Sequence, residues 1–139
     1  HPEQFAESLG RLRRFVRDVK TGYPVDGRKV FLLGFSMGSV MAFALSLTAP
    51  GEVRGVVAHS GYVPENTSLE FAWDRLEGLS VFLAHGTADP VVPVGLARRA
   101  RDLIVKSSAE LTYREYPTPH RVGRQSLRDL SGWLGSRLS

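Results

Sequence analysis

The sequence has no cysteine and no long run of apolar residues. Without cysteine the chain has no disulfide framework, no thiolate nucleophile and no Cys-ligated metal. This absence fits both reducing and oxidising compartments, and we expect a cytoplasmic protein. The longest apolar run, Val40 to Leu45, is far shorter than the roughly 18 residues that a membrane-spanning helix needs. The sequence therefore predicts no transmembrane segment.

Charge of one sign is not concentrated anywhere in the chain. Lys and Arg number 18 against 14 Asp and Glu, which gives a formal net charge of +4 at pH 7. The densest basic stretch, residues 98–101, is followed directly by Asp102, and elsewhere Arg alternates with acidic residues. Interleaved charges of this kind are typical of solvated helix faces. We therefore expect no nucleic-acid partner.

The length and composition are those of one globular domain. A chain of 139 residues can bury roughly two thirds of its unfolded surface. Hydrophobic residues make up 42% and charged residues 23%, which excludes the disordered and fibrous classes. We find no internal repeat and no linker, so we predict a single domain over residues 1–139.

The spacing of apolar residues predicts helices that alternate with short strands. The strand candidates lack apolar–polar alternation, which indicates strands covered on both faces and hence a mainly parallel sheet. This pattern predicts an α/β layered domain with about four strands and helices on both faces of the sheet. The predicted helices cover residues 3–20, 36–49, 94–107 and a leucine-spaced segment at 127–138. The predicted strands cover residues 29–34, 53–58, 80–84 and 111–116.

A G-x-S-x-G motif, Gly34 to Gly38, lies between a predicted buried strand and a predicted buried helix. This is the place for a nucleophile elbow, a sharp strand-to-helix turn that holds a strained serine outward. We expect a Cβ at Gly34 or Gly38 to clash where the strand and helix close up. Ser36 is the candidate nucleophile, and the Met37 amide at the helix N-terminus is placed to donate to an oxyanion. The alternative for Ser36 is a simple helix cap, which would not need the flanking glycines.

A serine nucleophile needs a base and a carboxylate that orients the base. Asp89 follows the third predicted strand, and His120 follows the fourth. Because groups beyond the carboxyl ends of neighbouring parallel strands converge, we expect Ser36, Asp89 and His120 to meet. The alternatives are a turn role for Asp89 before Pro90 and an exposed loop position for His120. Two prolines shortly before His120 favour the fixed position that a base requires.

The remaining candidates lie near the predicted strand ends and in the long connection after the second strand. We expect His59 and His85 to be packed and hydrogen-bonded, not catalytic, and we find no metal-binding constellation. A connection of that length is usually functional. Its aromatic residues Tyr62 and Trp73 either line an acyl or alcohol pocket or close the core under the connection.

Three blocks of the sequence resemble the phospholipase/carboxylesterase family of α/β-hydrolases, whose members include the acyl-protein thioesterases. The blocks are Gly34–Ser39 at the elbow, His59–Pro64 after the next strand and His85–Pro93 around the acid. Their order and spacing agree with that family over essentially the whole chain. The resemblance implies an α/β-hydrolase fold and a serine hydrolase that acts on carboxylic esters or thioesters through an acyl-enzyme, with no cofactor.

The resemblance also implies roles for single residues. Ser36 would be the nucleophile, His120 the general base and then the general acid, and Asp89 the residue that orients His120. Val91 and Val92 would face the acyl chain, although buried valines near a strand end need no such role. The resulting prediction is a serine carboxylesterase for small-molecule esters of short or medium acyl chains.

The family's fold has several strands and a His-Gly loop ahead of the elbow strand, and that loop supplies a second oxyanion donor. Only one predicted helix precedes the elbow strand here, so we expect the domain to be incomplete at its amino terminus. The strand at 29–34 would then lie at an edge of the sheet and invite a partner, either a second copy or the missing segment. The alternative function is a non-catalytic half-domain that binds a partner or ligand.

Overall fold

The computed structural model describes residues 2–138, which form four strands and four α-helices. The helices are α1 (Pro2–Gly22), α2 (Met37–Thr48), α3 (Val94–Val105) and α4 (Arg124–Leu138). The strands are β1 (Phe31–Phe35), β2 (Gly55–His59), β3 (Ser80–Gly86) and β4 (Glu110–Tyr116), and a short 3₁₀ turn covers Gly27–Lys29. Across these residues, no helix has the length and apolar character that crossing a bilayer demands.

The described strands form one parallel sheet in the order β1-β2-β3-β4. The register aligns Phe31 with Gly55, Gly55 with Ser80, and Ser80 with Glu110. Parallel strands need crossover connections, which α2, the irregular segment 60–79 and α3 provide. Helices α1, α2 and α3 pack on one face of the sheet and α4 packs on the other. The predicted α/β layering, with a parallel sheet and helices on both faces, is confirmed.

The larger core lies between the sheet and helices α1 to α3. Alternate residues of a strand face the same side, so β2 and β3 each direct one set of side chains into this core and the other set towards α4. On the α4 side, Trp133 packs against Phe31 and Phe82, with ring centroids 6.0 Å and 5.7 Å away. The fully buried side chains of the larger core include Phe43, Leu45, Leu47, Leu76, Val81, Leu83 and Ile104.

Several strand ends differ from the sequence prediction by two residues. β1 begins after Lys29 because that residue ends the 3₁₀ turn, which Asp26 caps by accepting a hydrogen bond from the Arg28 amide at 3.0 Å. β2 also begins later, where it starts to pair with β1. β3 runs further because it stays paired with β4 through Gly86. These differences move the ends of elements and leave their types unchanged.

β1 is an edge strand, and the expectation that it is covered on both faces was wrong. Leu32 packs against the larger core, whereas Phe31, Leu33 and Phe35 alternate to the α4 side. Trp133 covers Phe31, but Leu33 is 57% exposed and Phe35 is 42% exposed. The reason is that α4 reaches the start of β1, where Trp133 meets Phe31, and makes its main contacts with β3 and β4.

Candidate active site

Ser36 occupies the turn between β1 and α2 in a backbone conformation that L-residues rarely adopt. Its φ is 58° and its ψ is −121°, and such a conformation costs about 1–3 kcal/mol. Hydrogen bonds on both sides hold the turn. The Ser36 amide donates to the His59 carbonyl at 2.9 Å, and the Ser36 carbonyl accepts from the amide and hydroxyl of Ser39 at 3.0 Å and 2.7 Å. The turn therefore adds one bond to the sheet and starts the helix.

Gly34 is required by the close approach of α2 to β1. A Cβ on Gly34 would lie 2.4 Å from the carbonyl carbon and oxygen of Gly38. Gly61, after β2, is constrained in the same way, because its Cβ would meet the Ser39 hydroxyl oxygen at 1.6 Å. The expectation for Gly38 was wrong, since a Cβ there meets no atom within 4 Å. Gly34 approaches the backbone of Gly38, whereas a Cβ on Gly38 itself would point into open space.

Ser36, His120 and Asp89 form a continuous chain of hydrogen bonds. His120 Nε2 lies 3.0 Å from Ser36 Oγ, and His120 Nδ1 lies 2.6 Å from Asp89 Oδ2. A carboxylate only accepts hydrogen bonds, so Nδ1 carries the proton and donates to Asp89. In the neutral ring Nε2 then has a free lone pair, to which the Ser36 hydroxyl donates. The ring is thus oriented to take a proton from Ser36.

Asp89 is fixed on its other side by the backbone. Its side chain is 0% exposed, and Oδ1 accepts hydrogen bonds from the amides of Val91 at 2.8 Å and Val92 at 2.9 Å. Burial acts to raise the pKa of Asp89, but the hydrogen bonds from His120 and from the two loop amides outweigh it, so this pKa lies below its ordinary value. Asp89 is therefore a carboxylate that gives one oxygen to its own loop and the other to His120.

The loops that follow β3 and β4 are bound to each other, and they carry the acid and the imidazole of the site. The Thr87 amide donates to the Tyr116 carbonyl at 2.7 Å, and the Ala88 amide donates to the Thr118 carbonyl at 3.1 Å. A Cβ on Gly86 would lie 2.1 Å from the Thr118 carbonyl oxygen. Glycine at that position lets the two loops approach, so the acid and the imidazole are held as one unit.

Met37, whose amide is the predicted oxyanion donor, begins α2 directly after Ser36. The first amides of a helix have no partner within the helix and carry its positive dipole end. The Met37 side chain is 57% exposed and lines a cleft of about 400 Å³ together with Phe5, Tyr62 and Leu96. Three helices and the segment after β2 therefore form a largely apolar cleft beside the Ser36 turn.

The other predicted substrate-contact residues lie outside the lining of this cleft. Trp73 packs against Phe71, with ring centroids 5.7 Å apart, and against the larger core. Val92 is buried, and its contact with the site is made by its amide. The Val91 side chain is 64% exposed. Of the four predicted residues, Tyr62 is the one that the structure places in the cleft.

Two buried histidines lie at the ends of β2 and β3. His59 Nδ1 lies 2.7 Å from Ser60 Oγ, and burial, reinforced by the neighbouring His85, lowers the pKa of His59 to about 4. His85 Nε2 lies 2.7 Å from the Val92 carbonyl oxygen. Within residues 2–138, no group of three or more His, Asp or Glu side chains is placed to hold a metal ion.

Comparison with known proteins places the chain in a family. The sequence profile described as phospholipase/carboxylesterase matches residues 2–137. Acyl-protein thioesterase 1 of Yarrowia lipolytica is 29% identical over 136 residues, which cover 95% of this chain and 60% of the relative. Acyl-protein thioesterase 1 of Mycosarcoma maydis is 30% identical over 119 residues, which cover 81% of this chain and 50% of the relative. The chain therefore spans between half and three fifths of the length of these relatives.

Solved structures have the same fold at low sequence identity. The Bacillus cereus carboxylesterase superposes with a TM-score of 0.86 at 22% identity, covering 97% of this chain and 62% of that one. Arabidopsis thaliana SOBER1 superposes with a TM-score of 0.81 at 21% identity, covering 100% of this chain and 67% of that one. These likenesses establish the α/β-hydrolase fold. Because the family profile also matches nearly every residue, this chain belongs to the phospholipase/carboxylesterase family.

Proposed function

We propose that this chain is a serine carboxylesterase that hydrolyses small-molecule carboxylic esters of short or medium acyl chains, with thioesters as a second substrate class. The observation that carries the proposal is the unbroken chain of hydrogen bonds from the Ser36 hydroxyl through His120 to the buried Asp89 carboxylate. Family membership and the similarity to proteins named acyl-protein thioesterase support the same chemistry. The match covers 60% of the Yarrowia lipolytica relative, so the activity stays a proposal for this chain.

The reaction would proceed in two transfers through Ser36. Its Oγ attacks the carbonyl carbon of the ester while His120 Nε2 takes the hydroxyl proton, and His120 then gives that proton to the departing alcohol or thiol. A water molecule next loses a proton to His120, attacks the acyl-serine and releases the carboxylic acid, and the proton returns to Ser36. Asp89 keeps Nδ1 protonated and stabilises the imidazolium that forms in each transfer.

Charge that develops on the carbonyl oxygen would be stabilised by the Met37 amide. This amide stands at the N-terminus of α2, where the helix dipole favours negative charge. One donor contributes roughly 10² to 10³ in rate. A second donor, which members of this family take from a loop ahead of the elbow strand, would raise the rate further.

The cleft beside Met37 is the site that we propose for the acyl or alcohol group of the substrate. Tyr62 and Leu96 line it with largely apolar surface, and its volume of about 400 Å³ suits a short or medium chain. We also propose that the exposed Val91 side chain contacts the substrate. The packing of Trp73 and Val92 favours a supporting role for these two residues, behind the surface that a substrate meets.

The exposed edge of the sheet favours a second candidate, a non-catalytic half-domain that binds a partner along β1. This strand pairs on one side with β2 and leaves Leu33 and Phe35 exposed. We propose that its partner is a second copy of the chain or an amino-terminal segment that adds a further strand.

A location in the cytoplasm stays a prediction, which fractionation of cells that make the tagged chain would test.

Replacement of the nucleophile distinguishes the two candidates. Ser36→Ala is expected to lower kcat for p-nitrophenyl butyrate by at least about 10⁴-fold, because no other group supplies the attacking oxygen. The control is Ser107→Ala, which removes a hydroxyl just beyond the end of α3 that donates to the Ile104 carbonyl and accepts from the Ala109 amide. Stopped-flow or plate-reader kinetics with the purified variants measures both.

A fluorophosphonate probe gives an independent reading. An assembled site is expected to be labelled at Ser36, with the adduct located by mass spectrometry of the peptide. Equal turnover by wild type and Ser36→Ala would refute the esterase proposal. A folded wild type that is neither labelled nor active would favour the non-catalytic candidate.

A further inference from the structure

His85 is a buried side chain beside the site to which the proposed reaction gives no role. It is the next-to-last residue of β3 and is 0% exposed. Its Nε2 lies 2.7 Å from the Val92 carbonyl oxygen and 3.5 Å from Asp89 Oδ2. Its Nδ1 has no hydrogen-bond partner among the described residues.

These contacts determine which ring nitrogen carries the proton. A carbonyl oxygen only accepts hydrogen bonds, so Nε2 of His85 must be the donor to Val92. In a neutral ring, Nδ1, which has no partner, is the nitrogen that carries the lone pair. The alternative tautomer would leave a buried N–H donor and the Val92 carbonyl both unpaired, and each unmade bond costs about 1–3 kcal/mol.

Val92 is held at both of its peptide groups. Its carbonyl accepts from His85, and its amide, together with that of Val91, donates to Asp89 Oδ1. The bond from His85 therefore anchors the two-residue segment whose amides orient the carboxylate. With Oδ1 occupied in this way, Oδ2 is left facing His120 at 2.6 Å.

We propose that His85 is a positioning residue, which anchors the segment 91–92 and thereby keeps Oδ2 of Asp89 directed at His120. The inference rests on the proposed function, in which that contact sets the orientation of the base. A side chain that only fills space would be replaced without loss of catalysis by an apolar residue of similar size. A positioning residue would not, because the apolar residue cannot donate to Val92.

Two substitutions at His85 separate these roles. His85→Leu removes the donor to Val92. In the folded variant, kcat is expected to fall about 10- to 100-fold with KM unchanged. This loss is smaller than the roughly 10⁴-fold loss of kcat when the orienting carboxylate is replaced and the base takes the wrong tautomer. His85→Gln keeps an N–H at the end of a similar reach and is expected to retain most of kcat. Phe82→Leu is the control, because it also loosens buried packing in β3 but on the α4 side. It is expected to lower stability and leave kcat unchanged.

Proton NMR of the resting protein reports on the hydrogen bond between His120 Nδ1 and Asp89 Oδ2 without any turnover. The hydrogen-bonded Nδ1 proton of His120 is expected to give a low-field signal in wild type and His85→Gln, and to lose it in His85→Leu. Nitrogen-15 histidine spectra of wild type are expected to place the His85 proton on Nε2.

Three outcomes would overturn the inference: a His85 proton on Nδ1, a folded His85→Leu with full kcat and the low-field signal intact, or a folded His85→Gln without that signal. If His85→Leu does not fold, the nitrogen-15 spectrum of wild type and the low-field proton signal of His85→Gln still test the inference. If wild type hydrolyses no ester, the proposed function fails, and the spectra still test the His85 contact.

Discussion

His59 carries a stability contribution that depends on pH. It is 2% exposed at the end of β2, and burial lowers its pKa from 6.5 to about 4. The unfolded chain therefore binds a proton at His59 between these two values, while the folded chain does not. Stability that this residue contributes is fully present above pH 6.5 and is lost as the pH falls towards 4.

We predict that acidification within this window destabilises the fold through His59. Its contribution to the free energy of unfolding is expected to fall by at most about 1.4 kcal/mol per pH unit. Urea unfolding of wild type and His59→Gln, measured at a series of pH values, tests this. The Gln variant should have the flatter dependence, and parallel curves for the two proteins would contradict the prediction.

The residues of the proposed site could be found from the sequence because each one follows the end of a predicted strand. Ser36 lies within the G-x-S-x-G motif, and Asp89 and His120 lie in the loops just past the third and fourth predicted strands. The hydrogen bonds from the Val91 and Val92 amides to Asp89 could not be predicted, because every residue except proline has a backbone N–H. The bond from His85 to Val92 depends on how the chain folds back between residues 85 and 92, and the residue types alone do not predict that path.

At the scale of elements, the contact between β1 and α2 depends on Gly34. We predict that Gly34→Ala destabilises the protein by about 1–3 kcal/mol or more, because its Cβ would lie 2.4 Å from backbone atoms of Gly38. Gly38→Ala is the matched control, with no atom near its Cβ. Its stability is expected to stay equal or to rise by up to about 1 kcal/mol, because alanine favours helix. Thermal or urea unfolding measures both, and equal losses for the two would count against this account.

The order and types of the elements followed from apolar spacing, whereas some of their ends did not. The turn at Gly27–Lys29 is held by a local hydrogen bond from the Arg28 amide to Asp26, which apolar spacing does not report. The pairing of β3 with β4 through Gly86 arises from contact between segments that are distant in sequence. The exposure of β1 was misread for a similar reason. An apolar strand is recognised by its composition, but whether a helix lies over it is decided by where α4 packs.

At the scale of the whole molecule, the sheet has an apolar edge. We predict that wild type associates in a concentration-dependent way through β1, and that Leu33→Lys weakens this association because a charge on an edge strand opposes pairing. Val105→Lys is the control, since Val105 is 64% exposed on α3, away from that edge. Sedimentation velocity over a range of concentrations measures it. A wild type that stays monomeric throughout, or equal effects of the two lysines, would contradict the prediction.

The edge position of the first strand could be inferred from the sequence, because only one predicted helix precedes it. The observed strand order, β1-β2-β3-β4, places the ends that lead to Ser36, Asp89 and His120 at one rim of the sheet, where hydrogen bonds join these three residues. The sequence could not reveal the cleft lined by Phe5 and Leu96, because residues of α1 and α3, far apart in sequence, come together there beside Met37 of α2.

The backbone conformation of Ser36 has a consequence for any attempt to make this protein more heat-resistant. Glycine is the one residue that adopts a φ of 58° without a Cβ penalty. A change to glycine there would relieve the turn and remove the hydroxyl in the same step. Selection for thermal tolerance alone would therefore enrich chains that have lost the proposed chemistry, and directed evolution of this fold needs a turnover screen alongside the thermal one.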